Sequence, residues 1–307
     1  MTAPLPSRPS EVKAWCSANG FRPSRTLGQN FLIDRNTIDA IVAAAEIPPG
    51  ERVLEVGPGM GALTRALLGA GAKVTAVEKD EALAALLRES CAGYSDFTLY
   101  AADMLDIPLD ALLSSGCVKA ACGENRVEGI PYFSKLISNL PYSVGTRILL
   151  EICRHPLAPA TCLVMVQKEV ADRLAAAPST PDRGQAGVWI QQRYDVENVR
   201  TVKPTCFWPQ PEISSTVIRL VRHDRLPLDG NQRRVFEAIT KLAFMHRRKQ
   251  MASIFRNAGP VGGVAIGDPA AWLASCGLAP SIRPEQISNE QWRQLACALA
   301  DNAGKED

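Results

Sequence analysis

The chain has no stretch of about 18 consecutive apolar residues, the length a helix needs to cross a bilayer, and its opening segment, Met1 to Ser10, is rich in proline and serine with no apolar core. Neither a membrane span nor a secretory signal peptide fits that pattern. The cysteines number nine, an odd count, lie scattered, and include no CxxC pair. A disulfide framework and a zinc site are therefore not expected; a reducing cytoplasm and no metal are. Charge of either sign is also not in excess. The formal net charge is only +2, so a nucleic-acid partner has to be argued from where the charges sit.

They sit unevenly. Between Arg233 and Arg256 the basic residues Arg233, Arg234, Lys241, Arg247, Arg248, Lys249 and Arg256 face a single acid, Glu237. The plain reading is a solvated helix face; the alternative is a phosphate-binding surface. Arg22 and Arg25 make a second, weaker patch near the N-terminus.

From Arg52 to about Arg222 strand-like and helix-like segments alternate, which predicts an α/β domain with a mostly parallel, Rossmann-like sheet. Strands are expected at Arg52–Gly57, Lys73–Val77, Phe97–Ala101, Lys135–Ser138, Cys162–Val166, Glu197–Val202 and Thr216–Val221, the last two as late, antiparallel additions. The unbroken apolar run Cys162–Val166 suggests a strand covered on both faces. Helices are expected at Ala62–Ala70, Glu81–Glu89, Thr146–Arg154 and Glu169–Ala177, with Pro178–Gly187 a loop. Before the sheet, Glu11–Cys16 and Ile38–Ala45 read as helices, the second capped by Asp34 or Asn36. Beyond a linker at His223–Asn231, helical patterning at Gln232–Ala258 and Glu290–Ala300 predicts a small all-helical domain. The expected division is 1–225 and 226–307.

"LEVGPGMGA", Leu54 to Ala62, puts Gly57, Gly59 and Gly61 between the first strand of the sheet and its helix. A tight turn needing small residues would explain it, and so would a dinucleotide fingerprint. A pyrophosphate cradle, however, works through backbone N–H donors, and Pro58 has none. Lysine does not follow the glycines, so a P-loop is excluded as well. Glu55 beside the loop, Glu78 after the second strand and Asp103 after the third ring the expected pocket with carboxylates. They would repel a polyphosphate and suit a cationic ligand that carries a ribose and an adenine. S-adenosylmethionine is such a ligand.

"SNLPYS", Ser138 to Ser143, then gains a purpose. An exocyclic adenine amine is a poor nucleophile because its lone pair is delocalised into the ring. Acceptors aimed at its two N–H groups, the Asn139 side-chain oxygen and the Leu140 carbonyl, favour a pyramidal nitrogen with its lone pair toward the methyl donor. Pro141 stiffens the turn, and Tyr142 can stack on an extruded base. No metal or general base is required, because methyl transfer from a sulfonium depends mainly on proximity and alignment. A strand-end turn with a half-buried tyrosine is the plain alternative.

These residues resemble the ribosomal RNA adenine dimethyltransferases, and among them the bacterial branch that dimethylates two adjacent adenosines near the 3′ end of small-subunit RNA. The resemblance covers nearly the whole chain: "LGQNFLID" (Leu27–Asp34), "LEVGPGMGALT", "VEKD", "NLPY", "VQKEVADRL" (Val166–Leu174), "FWPQPEISSTV" (Phe207–Val217) and "RPEQIS" (Arg283–Ser288) follow in the family's order. It implies cofactor contacts at Asn30, Leu32, Gly57, Glu78, Asp103 and Asn139, and a target base held at Asn139 and Leu140 between Tyr142 and Phe207. It also implies that Arg247, Arg248 and Lys249 face ribosomal RNA of the assembling small subunit; a monomer is expected, in the cytoplasm that the cysteine usage suggests.

The sequence departs from the family pattern in two places. The connection from Asp103 to Asn139 is longer than usual, holds Cys117, Cys122 and Gly129, and reads as a surface insertion spanning 107–134. Arg183–Gly184 stands where an aromatic–glycine pair is usual, which removes an aromatic RNA contact there. Three other readings compete. A large-subunit resistance methyltransferase would share the catalytic loop but not the flanking "FWPQPEISSTV" and "RPEQIS". A non-catalytic assembly factor would not need Asn139, Tyr142, Glu78 and Asp103 together, and a dehydrogenase is disfavoured by Pro58.

Overall fold

The structure, a computed structural model, describes residues 8–24, 26–116 and 132–303. Arg25 and the Cys117–Gly129 part of the expected insertion lie outside them.

Helix α1 (Pro9–Ala18) leads to the short strand β1 (Phe31–Leu32) and α2 (Arg35–Ala45). Asp34 caps α2 by accepting the Thr37 N–H at 2.8 Å, and Ile38, Ile41 and Ala45 bury one stripe of it. The α/β alternation then runs β2 (Arg52–Val56), α3 (Ala62–Gly69), β3 (Lys73–Glu78), α4 (Glu81–Ser90), β4 (Phe97–Ala101), α5 (Leu109–Ser115), β5 (Lys135–Asn139), α6 (Gly145–Arg154), β6 (Thr161–Gln167) and α7 (Lys168–Ala175). After them come α8 (Gln185–Gln191), β7 (Tyr194–Val202), β8 (Phe207–Trp208), β9 (Ser215–Arg222), and the helices α9 (Gly230–Met245), α10 (Met251–Phe255), α11 (Pro269–Ser275) and α12 (Asn289–Ala303).

Seven strands form one sheet in the order β4-β3-β2-β5-β6-β9-β7, with β2 to β6 parallel and β9 antiparallel to β6. β6 lies between β5 and β9 with Cys162 to Val166 all buried, so the apolar run does mark a strand covered on both faces. Chain order reverses between β2 and β5. Loops leaving the C-terminal ends of two such strands diverge and open a crevice there. The short pair β1–β8 is antiparallel and sets Leu32 opposite Phe207.

Contacts divide the chain into two compact units, one holding the residues up to Ala171 and Val196–Arg222, the other Asp172–Asp195 and everything from His223. The second unit thus includes α8, whose first residues, Gln185–Gly187, fall in the stretch expected to be loop, because Val188 belongs to the same core as Val235, Phe236, Phe255, Trp272 and Trp292. The long helix expected from Gln232 is broken after Met245, and α10 begins at Met251. Part of the expected insertion is ordered as α5, whose Leu112 and Leu113 are fully buried. No helix of the described residues is long and apolar enough to cross a membrane.

Candidate active site

A cavity of about 230 Å³ opens at the C-terminal ends of β2, β3, β4 and β5. Asn30, Gly57, Glu78, Asp103, Asn139, Leu140 and Tyr142 all line it. Leu32 and Phe207 do not; both are buried beside it as the β1–β8 pair. Arg247, Arg248 and Lys249 lie in the second unit, in the turn between α9 and α10 and not on a helix face.

The glycine loop is shaped by close approach. Gly57 has φ +66°, a left-handed conformation that favours glycine, and a Cβ there would stand 3.3 Å from the Pro141 ring, crowding the contact between the loop and the Asn-Leu-Pro-Tyr turn. The three glycine amides of the loop are already engaged. Gly57 N–H donates to the Val77 carbonyl at 2.9 Å and Gly61 N–H to the Pro58 carbonyl at 3.0 Å. Gly59 N–H donates to Glu78 Oε2 at 3.0 Å. With those amides spent and Pro58 lacking a donor, the loop is not an open pyrophosphate cradle. The glycines and Glu78 thus match the form of a dinucleotide fingerprint without its anion-binding function.

Glu78 is buried at the end of β3, and its Oε1 accepts the Asp80 N–H at 2.9 Å. Burial raises its pKa, against the opposing effect of these backbone donors. Asp103 follows β4. Its Oδ2 pairs with Lys79 Nζ at 2.6 Å and its Oδ1 accepts from Leu105 N–H at 3.0 Å, and these two partners hold its pKa below the ordinary aspartate value.

Glu55 does not join them. Strand alternation puts it on the face of Val53, which packs with Leu63 and Leu67 of α3, and it is 1% exposed. Burial pushes its carboxyl up to about 8, with Thr64 opposing and the Glu78 charge adding to the shift. At neutral pH it is an uncharged acid beside a separate small cavity. The expected ring of three carboxylates therefore reduces to Glu78 and Asp103, the latter already partnered by a lysine.

Asn139 ends β5. Its Nδ2 donates to the Asn30 carbonyl at 3.2 Å, and among the described residues its buried Oδ1 has no hydrogen-bond partner. A buried acceptor left unpaired costs about 1–3 kcal/mol, which an incoming donor would recover. Next along the turn, the Tyr142 ring packs edge-on to Phe207 with centroids 6.5 Å apart and planes at 67°. Its hydroxyl meets the buried Ser215 Oγ at 2.5 Å. Sequence reasoning passed over three residues here, Gln29, Lys79 and Ser215, although each stands inside a quoted motif. Their partners are distant in sequence, and no local pattern marks them.

A model of the family "Ribosomal RNA adenine dimethylase" matches residues 20–292. The "Ribosomal RNA small subunit methyltransferase A" of Geobacillus kaustophilus is 34% identical over 97% of this chain and 98% of that protein. The protein of the same name from Deinococcus radiodurans is 37% identical over 97% of this chain and 92% of its own. Among solved structures, the 23S rRNA methyltransferase ErmE superposes with a TM-score of 0.61 at 27% identity, over 88% of this chain and 99% of that one. With a family match over most of its length and full-length relatives above 30% identity, the chain belongs to the ribosomal RNA adenine dimethylases.

Proposed function

We propose that the protein dimethylates N6 of two adjacent adenosines near the 3′ end of small-subunit ribosomal RNA, using S-adenosylmethionine, during assembly of the small subunit in the cytoplasm. The observation that carries the reading is the unpaired Asn139 Oδ1, set beside Leu140 at the mouth of a cavity whose far side presents Glu78 and Asp103. The full-length relatives carry the small-subunit name, which favours that RNA over the large-subunit alternative.

The residues present fit that cofactor. Its ribose hydroxyls need an acceptor, supplied by Glu78; its adenine amine needs another, supplied by Asp103; and the engaged glycine amides suit a ligand without phosphate. Gly57, the Asn30 segment and the neighbourhood of Leu32 would form its walls. When bound, S-adenosylmethionine supplies an electrophilic methyl group on a sulfonium. Asn139 Oδ1 and the Leu140 carbonyl accept from the two N–H groups of the target amine and turn its lone pair toward that methyl. Tyr142 stacks on the extruded base, with Phe207 closing the other side. Because the two rings stand at 67° and not parallel, admitting a base between them requires Tyr142 to turn, against its bond to Ser215. The domain of 226–307 docks RNA through Arg247, Arg248 and Lys249 in the turn between α9 and α10, and the protein acts as a monomer.

The test is incubation with labelled S-adenosylmethionine and undermethylated small or large subunits, followed by mapping of the modified base. Dimethylation of two neighbouring adenosines near the small-subunit 3′ end is expected. Label confined to the large subunit would overturn the substrate assignment, and binding to small subunits without methyl transfer would favour an assembly factor.

A further inference from the structure

Asn139 presents its oxygen only because its nitrogen is held elsewhere. The Asn30 carbonyl can accept but never donate, so it dictates which end of the Asn139 amide it faces. The position of that carbonyl depends in turn on the stretch 26–30, which runs across the cavity and belongs to no helix or strand. Two contacts pin it. On one side Gly28, at φ +66°, lies so close to the turn that a Cβ would stand 2.9 Å from the Ser143 nitrogen. On the other side is Gln29.

The Gln29 side chain bridges two segments. Its Oε1 accepts from the Ser24 N–H at 2.7 Å, which leaves its Nε2 as the donor toward Asp80 Oδ2 at 3.1 Å. Asp80 is itself firmly placed: its Oδ1 caps α4 by accepting from Ala82 and Leu83 at 3.0 and 3.2 Å, and its own N–H is held by Glu78. One carboxylate thus joins the helix cap, the segment carrying Glu78 and the stretch that carries Asn30. We propose that Gln29 is a positioning residue for Asn139: by tying this stretch to the Asp80 cap it fixes the Asn30 carbonyl, and so keeps the Asn139 oxygen turned to the target amine.

The inference rests on the role given to Asn139 above, and a hydrogen-bond swap tests it. Gln29→Glu keeps the acceptor for Ser24 but replaces the donor toward Asp80 with a like charge. Asp80→Asn keeps an oxygen on the cap, since asparagine caps as well as aspartate, but turns an N–H group toward the Gln29 donor. The two changes together restore one bond with its direction reversed. Each single variant is expected to lower the single-turnover rate at saturating cofactor and RNA by about tenfold and to speed hydrogen exchange at the Gln29 amide, which donates to the Ser24 carbonyl. The combined variant should recover both to within about twofold. Wild-type exchange in the single variants, or a combined variant as slow in methyl transfer as either single one, overturns the proposal. Exchange is read on the protein alone, so it reports on the Gln29 bond whichever RNA proves to be the substrate; a wild-type protein that methylates nothing would instead defeat the functional reading.

Discussion

Among the described residues Asn139 keeps a buried oxygen unpaired at the mouth of the sheet, whereas Arg183, fully buried in the helical unit, has its guanidinium surrounded by acceptors. Arg183 donates to the Ala176 carbonyl at 2.8 Å, to Gln191 Oε1 at 2.5 Å and to Asn289 Oδ1; only its Nε lacks a partner among the described residues. Burial lowers its pKa to about 10, which leaves it charged at neutral pH. Glu55, equally buried but in the sheet unit, answers burial by holding a proton. A carboxyl can become neutral, but a guanidinium has to be satisfied by dipoles. The contrast separates the role proposed for Asn139, an acceptor left for a ligand, from that of Arg183, whose bonds tie together parts of one core.

The comparison is sharpest at its two ends. Asn139→Ala should slow single-turnover methyl transfer by about 10²-fold, the loss typical of one acceptor or donor aimed at a reacting group, while stability falls by no more than about 1 kcal/mol, the worth of the one bond from Nδ2 to the Asn30 carbonyl. A large loss of stability in that variant would place Asn139 with Arg183 as a structural residue. Arg183→Leu should do the reverse. It strands the acceptors of Ala176, Gln191 and Asn289 and should cost about 3 kcal/mol in urea unfolding; an unchanged midpoint would mean that the guanidinium is no staple.

Glu55 gives a smaller, pH-dependent effect. Its folded pKa of about 8 lies above the ordinary value of 4.5, so the native state holds a proton that the unfolded state has released. The stability from this group is fully present below the unfolded value and is lost as pH rises toward about 8, at roughly 1.4 kcal/mol per pH unit. Among ionisable groups Glu78 on β3 adds to its shift, and its own charge in turn raises the pKa of the Cys91 thiol after α4. Glu55→Gln should flatten unfolding free energy between pH 5 and 8 relative to wild type, and parallel curves would show that the carboxyl is not the buried proton carrier. The mildest change is expected at the exposed turn. Arg248→Ala should leave stability alone and reduce the salt slope of RNA binding by about 1; an unchanged slope would make that residue part of a solvated surface.

The strands were legible because buried parallel strands are nearly continuous apolar runs, and the site acids because each ends such a run. Helix α8 was not. Gly184 and Gly187 made its neighbourhood look like loop, yet a Cβ at Gly187 would stand 2.5 Å from the Arg173 carbonyl oxygen, so that glycine permits close packing and not a turn. The brief helix α11 was missed for lack of length, although Trp272 and Leu273 are buried in the second core. Within the site, Glu78, Asp103 and Asn139 could be found from their places at strand ends. Glu55 was misplaced because adjacency to the glycine loop says nothing about which face of β2 a side chain takes. Gln29 and Ser215 meet their partners 51 and 73 residues away, a distance across which sequence periodicity carries no information.

The glycine loop spends its three glycine amides on the Val77 and Pro58 carbonyls and on Glu78. Adenosine triphosphate shares adenine and ribose with the proposed methyl donor, but its phosphates would face the carboxylates of Glu78 and Asp103 across the same cavity. Of two ligands with a common nucleoside, such a cavity favours the cationic one, and excess adenosine triphosphate should displace it poorly.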